Sequence, residues 1–178
     1  MFIAVSQVGR ARYHRLAMPT AALLTDDLIA FLQGGRLLTV ASCDAFHSPA
    51  LAPAIGCEVA HDRSSLTVLL ARSQAGRLLA DVAANGGLTL LCSQAGQSLR
   101  LQIKGRDARE VAIGAAERAL LARQREALAA ELLPLGFATA YGYALCDCPV
   151  DELLGLRFTP CEVLRPLAGM PNSHGYRS

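Results

Sequence analysis

Leu99, Leu101 and Ile103 alternate along the chain with Arg100, Gln102 and Lys104. A period of two puts the first set in a core and the second on the opposite face of a strand. Gly105 follows, where the chain can bend or let another backbone approach closely. Shorter apolar runs at 37–42, 49–59, 66–71 and 88–92 predict four more strands. Polar turns at 44–48 and 61–64 and a polar loop at 93–98 separate them. A sixth run spans 156–165; Pro160 inside it predicts an edge or a bulge. Short strands on tight connections read as an antiparallel meander and not as βαβ units.

Other segments carry the helical period. Leu28, Phe31 and Leu32 follow Thr25-Asp26-Asp27, where Thr25 is an N-cap and the carboxylates favour the positive helix end. Gly34-Gly35 stops that helix. Leu78, Leu79 and Val82 predict a second helix over 75–84, capped by Ser73 and ended by Asn85-Gly86-Gly87. Residues 115–133 are rich in Ala and Leu and predict a third. Its stripe is Leu121, Leu128 and Leu132, with Glu117, Arg118 and Arg125 in water and Pro134 at its end. Residues 137–145 fit a strand or a helix, and their Ala content and length favour a helix. Six strands with helices between the third and fourth and before the sixth predict an α+β fold built on a closed or nearly closed antiparallel barrel.

Composition adds limits. The chain has 178 residues, 52% hydrophobic and 18% charged, the balance of a globular domain. Only 5% are aromatic and there is no Trp, so the core must be aliphatic. Mean hydropathy is +0.31, yet no apolar run reaches the roughly 18 residues of a membrane span. Arg10, Arg12, His14 and Arg15 follow the apolar start and do not precede it, the reverse of an export signal. The expectation is a cytoplasmic domain over 21–168 with flexible tails at 1–20 and 169–178. A net charge of +2 without clustered aromatics excludes a nucleic-acid footprint. The six cysteines (Cys43, Cys57, Cys92, Cys146, Cys148 and Cys161) read as reduced, buried, small hydrophobes. Cys146-Asp147-Cys148 lacks the second pair that a zinc site needs, so no metal is expected.

None of the common hydrolase, nucleotide or metalloprotease motifs occurs. The four histidines, at 14, 47, 61 and 174, fall in tails and turns. Two polar groupings remain. Arg72, Ser73, Gln74 and Arg77 sit at a strand-to-helix junction, where helix-start N–H groups, a hydroxyl and two guanidiniums can cradle a phosphate; an ordinary cap with surface arginines is the plain alternative. Arg100, Gln102 and Lys104 share one strand face, either solvated or lining a groove for an anionic, planar ligand.

The order of these pieces carries a resemblance. The runs 35–42 and 48–59, then 66–81 with its Ala71-Arg-Ser-Gln-Ala75 centre, then 98–105, and finally 156–163, resemble the pyridoxamine 5'-phosphate oxidase-like family of FMN-binding split barrels, over roughly residues 25–167. The resemblance implies a six-stranded antiparallel split β-barrel with peripheral helices that pairs into a homodimer, with FMN at the interface. It implies a flavin-dependent oxidoreductase of unspecified substrate. Arg72, Ser73, Gln74 and Arg77 would hold the phosphate, Arg100, Gln102 and Lys104 would face the ring or ribityl chain, and residues 50–57 would offer backbone contacts. Two departures stand out. Gln74 occupies a position where oxidases of the family often have Lys, and the chain lacks their basic, Trp-containing end. Vitamin B6 oxidation is therefore not implied. The rival reading is a non-enzymatic dimeric module for haem, deazaflavin or no cofactor, with His47 and His61 as the candidate haem ligands.

Overall fold

A computed structural model describes residues 13–16, 23–97 and 100–166. Most of the two expected tails, and Leu99, lie outside these residues. Ten strands occur among them, every pairing antiparallel, in two sheets. They are β1 (Tyr13–Leu16), β2 (Leu37–Cys43), β3 (Pro49–Ala54), β4 (Gly56–Val59), β5 (Leu66–Ala71), β6 (Leu88–Ser93), β7 (Arg100–Gly105), β8 (Arg109–Val111), β9 (Leu153–Phe158) and β10 (Glu162–Pro166). One sheet has the order β1-β10-β7-β6-β2-β3 and the other β4-β5-β9-β8. The α+β class holds. The expected count of six strands does not, and no closed barrel forms among the described residues, because each sheet keeps two edge strands.

The count differs for local reasons. The single run expected at 49–59 serves both sheets. Ala50 and Ala52 point into the core from β3, and Cys57 points into it from β4. Ile55 between them turns into a second apolar cluster while its N–H bonds to the Leu69 carbonyl at 2.9 Å. The run at 156–165 breaks likewise at Thr159-Pro160-Cys161, leaving β9 in one sheet and β10 in the other. The Cys161 N–H then bonds to the Lys104 carbonyl at 2.8 Å, which starts β10 beside β7. Pro160 therefore marks a change of sheet and not a bulge. β8 has three residues, too few for a periodic signal. β1 falls within the expected N-terminal tail yet pairs with β10.

The helices are α1 (Asp26–Gln33), α2 (Gly76–Asn85), α3 (Ala115–Leu132) and α4 (Thr139–Leu145). Thr25 caps α1, its hydroxyl accepting the Leu28 N–H at 3.4 Å. Gly35 follows with φ at +75°, and a Cβ there would lie 2.3 Å from the Ala127 backbone. Only glycine lets this turn rest on α3. Ser73 does not cap α2: residues Arg72–Gln74 form a 3₁₀ turn, and Ala75 is the capping residue. The α3 stripe buries Leu120, Leu128 and Leu132, while Leu121 is half-buried.

The main core lies between the sheets. Val40, Leu90 and Ile103 from one face Val68, Leu156 and Phe158 from the other, and Leu28, Leu32, Leu78 and Val82 close it from α1 and α2. At Gly105 a Cβ would come within 2.3 Å of the Phe158 ring. The close approach expected there is thus by an aromatic side chain. The second cluster, Ile55, Leu69 and Leu120, sits under α3.

Candidate functional site

The outward face of the six-stranded sheet carries the first candidate grouping. Leu101 and Ile103 are buried, so Arg100, Gln102 and Lys104 project from the other side of β7. Register then fixes their neighbours. Arg100 lies opposite Ser93, Gln102 lies between Leu91 and Leu164, and Lys104 lies between Thr89 and Glu162. Lys104 Nζ is 3.1 Å from Glu162 Oε2. The same face continues through Leu37, Thr39 and Ala41 of β2 to Leu51 of β3.

At one end of that row lies a cleft of about 520 Å³, lined among others by Ser42, Cys43, Thr89, Lys104 and Arg106. Ser42 is buried and donates to Asp81 Oδ2 on α2 at 2.9 Å, which fixes the cleft floor to the helix. The cleft takes Lys104 from the row and none of the four junction residues.

The junction has its own partners. Arg72 pairs with Glu110 on β8. The Ser73 N–H donates to Glu152 Oε2 at 2.8 Å. Arg77 donates to Ser48 Oγ at 2.7 Å and lies 3.3 Å from Asp44 Oδ2, fastening α2 to the β2–β3 turn. Asp44 also accepts the Phe46 and Ser48 N–H groups, both at 2.9 Å. The Ser48 N–H chiefly, with Phe46 and Arg77, holds its carboxyl below the usual range. Gln74 is exposed. Asp44, Glu110 and Glu152 are the residues that sequence reasoning missed; they arrive from 33, 38 and 79 positions away, and no local pattern marks them.

Among the described residues no His, Cys, Asp and Glu cluster is arranged for a metal ion, and no helix is long and apolar enough to cross a membrane.

No family model and no curated protein matches the chain by sequence. Solved structures do match it. HupZ from Group A Streptococcus is 16% identical, covering 84% of this chain and 98% of that one with a TM-score of 0.50. A NimC/NimA family protein from Clostridium acetobutylicum is 9% identical, covering 85% and 91% with a TM-score of 0.50. The chain has the fold of the pyridoxamine 5'-phosphate oxidase-like split barrels. An FMN-binding protein from Syntrophomonas wolfei also aligns, at 13% identity, 82% and 87% coverage and a TM-score of 0.49. At such identities the likeness to this split barrel is one of fold.

Proposed function

We propose that this split barrel is an FMN-binding protein of the flavin oxidoreductase type, working as a homodimer. The observation that carries the reading is the β7 row. Arg100, Gln102 and Lys104 stand on a sheet face that also exposes Leu37 and Leu51 and half-exposes Leu91 and Leu164. Cationic and amide donors beside an apolar surface suit a planar, anionic ligand held against a second subunit.

The junction residues fit a phosphate by exchange of partners. The side chains of Arg72 and Arg77 are 51% and 57% exposed. Ion pairs that exposed add little to stability, and a phosphate dianion offers each guanidinium a stronger partner than one carboxylate does. At Gly76, the first residue of α2, an added Cβ would meet nothing within 4 Å, so the backbone there is open to a ligand. Arg72, Ser73, Gln74 and Arg77 would hold the phosphate; Arg100, Gln102 and Lys104 would bind the ring and ribityl chain. A bound flavin supplies hydride and electron transfer. The protein's own part is to bind it, orient it and exclude water from its face.

The test is a visible spectrum of freshly isolated protein, followed by an FMN titration. The expected result is flavin absorbance that survives desalting, or a rise in Tm with FMN that Arg72→Ala with Arg77→Ala reduces. Colourless protein with no FMN-dependent shift in Tm would overturn the reading. A second reading, a dimeric module that does not use FMN, is favoured by one observation: a carboxylate already faces each of the Arg72, Ser73 and Arg77 donors. A haem absorption band would select it, as would binding of deazaflavin in place of FMN. His47 and His61 sit on exposed turns.

A further inference from the structure

The four-stranded sheet carries two guanidiniums in direct opposition. Arg109 on β8 lies opposite Arg157 on β9, and Arg157 lies opposite Thr67 on β5. Like charges facing each other across an antiparallel pair repel. Four arginines, Arg36, Arg63, Arg72 and Arg77, are ion-paired. Arg109 and Arg157 are not ion-paired among the described residues. Arg157 Nε donates to Thr67 Oγ1 at 3.1 Å. That bond fixes the guanidinium plane and leaves its terminal N–H groups unspent.

The pair borders a hollow of about 540 Å³ whose other walls include Asp62, Ser64, Ser65 and Thr159. Asp62 Oδ1 already accepts the Ser64 N–H at 3.0 Å and the Ser64 hydroxyl at 2.7 Å, which leaves Oδ2 as an open acceptor. Asp107 stands nearby, its carboxylate taking the Thr159 N–H at 2.7 Å and lying within the field of the Arg109 charge. The hollow therefore has a doubly cationic end built by β8 and β9, and a hydroxyl- and carboxylate-bearing end built by the β4–β5 turn. Two forked donors side by side match the oxygens of one phosphate group. The other end matches hydroxyl groups, which both donate and accept. Free phosphate fills only part of such a volume.

We propose that this hollow binds the phosphate monoester of a polyhydroxylated molecule, a sugar phosphate in class, with Arg109 and Arg157 on the phosphate and Asp62 with the turn hydroxyls on the sugar. The site is separate from the flavin groupings and stands whether or not FMN binds.

Thermal unfolding at fixed ionic strength tests it, with ribose 5-phosphate, inorganic phosphate and chloride as probes. Near saturation, ribose 5-phosphate should raise Tm by about 5 °C. Arg109→Gln and Arg157→Gln should each abolish the shift. Arg109 makes no bond that the fold needs, so Arg109→Gln decides the matter if Arg157→Gln fails to fold. Without ligand, Arg109→Gln should melt close to the parent, because it removes a repulsion from Arg157 together with an attraction to Asp107. A smaller shift with inorganic phosphate identifies the ester as the ligand, and equal shifts identify free phosphate. The proposal is overturned if chloride matches the effect, if the shift survives Arg109→Gln, or if Arg77→Gln removes it and so moves the phosphate to the strand-to-helix junction. FMN absorbance and affinity in Arg109→Gln should stay at the parent level, which separates failure here from failure of the flavin reading.

Discussion

Cys57 and Cys92 are thiols held in the apolar core between the sheets. Burial pushes the Cys57 thiol up from 9.0 to about 12, against a hydrogen bond with Gln124 that works the other way. Burial likewise pushes Cys92 well above 9.0, with Cys57 adding to the rise. In the unfolded chain both would ionise near the ordinary value. The folded state therefore keeps protons that the unfolded state loses, and stability falls as pH rises above 9. The slope for Cys57 is about 1.4 kcal/mol per pH unit and levels off only near 12. Urea unfolding at pH 8, 9 and 10 should show this loss, and a Cys57→Val, Cys92→Val variant should flatten it. The same burial protects these two thiols from alkylation, while exposed Cys43 and Cys161 react. The sequence expectation of buried thiols holds at these two positions and fails at the other four, since Cys43 and Cys161 are exposed and Cys146 and Cys148 half-buried. Burial is set by register: Cys57 points inward on β4 and Cys92 inward on β6, while Cys43 ends β2 facing out.

β4 is an edge strand, and its outer side meets a helix and not another strand. Gln124 on α3 accepts the Cys57 N–H at 3.1 Å and donates to the Cys57 carbonyl at 2.9 Å. One carboxamide thus makes both bonds of a missing strand and blocks edge-to-edge association. Gly56 makes room, since a Cβ there would lie 2.9 Å from Gln124 Oε1. Gln124→Leu keeps the volume and strips both partners from a buried peptide group. It should cost about 3 kcal/mol in urea unfolding and speed hydrogen exchange at the Cys57 amide specifically. Unchanged exchange at Cys57 would show that the carboxamide is not what protects this edge. Such a device is invisible in sequence, because Gln124 is 67 positions from Cys57 and sits on a helix that reads as ordinary. The elements with strong local signals were legible: the strand at 66–71, the Thr25 cap and, of the α3 stripe, Leu128 and Leu132, with Leu120 buried where Leu121 was expected. What failed were the runs at 49–59 and 156–165, each read as one strand although the chain changes sheet within it, at Ile55 and at Thr159-Pro160-Cys161. At the site, the donor residues on β7 were legible from period two. The carboxylates facing Arg72, Ser73 and Arg77 were not, because tertiary folding delivers them.

At the scale of the whole molecule, the two faces of the six-stranded sheet are unequal in what they lack. The inner face is covered by the second sheet and by α1 and α2. The outer face keeps Leu51 at 62% exposure and Leu37 at 37%, with Leu91 and Leu164 half-buried across β6 and β10. Apolar side chains spread over adjacent strands, bordered by Arg100 and Lys104, form the kind of surface that associates. A standard interface removes about 800 Å² per partner, within reach of a face six strands wide. The flavin reading needs such a partner, since the chain alone brings only Lys104 of the seven candidate residues into the cleft. Leu37→Glu with Leu51→Glu introduces two like charges on each subunit and so repels a second copy without touching the core. Light scattering should give a dimer mass for the parent and a monomer mass for the variant, with far-UV circular dichroism unchanged. FMN affinity should fall at least about tenfold in the monomer, because half of the groove leaves with the partner. A variant that stays dimeric would move the interface to another face, and one that becomes monomeric yet holds FMN as tightly as the parent would confine the ligand to a single chain.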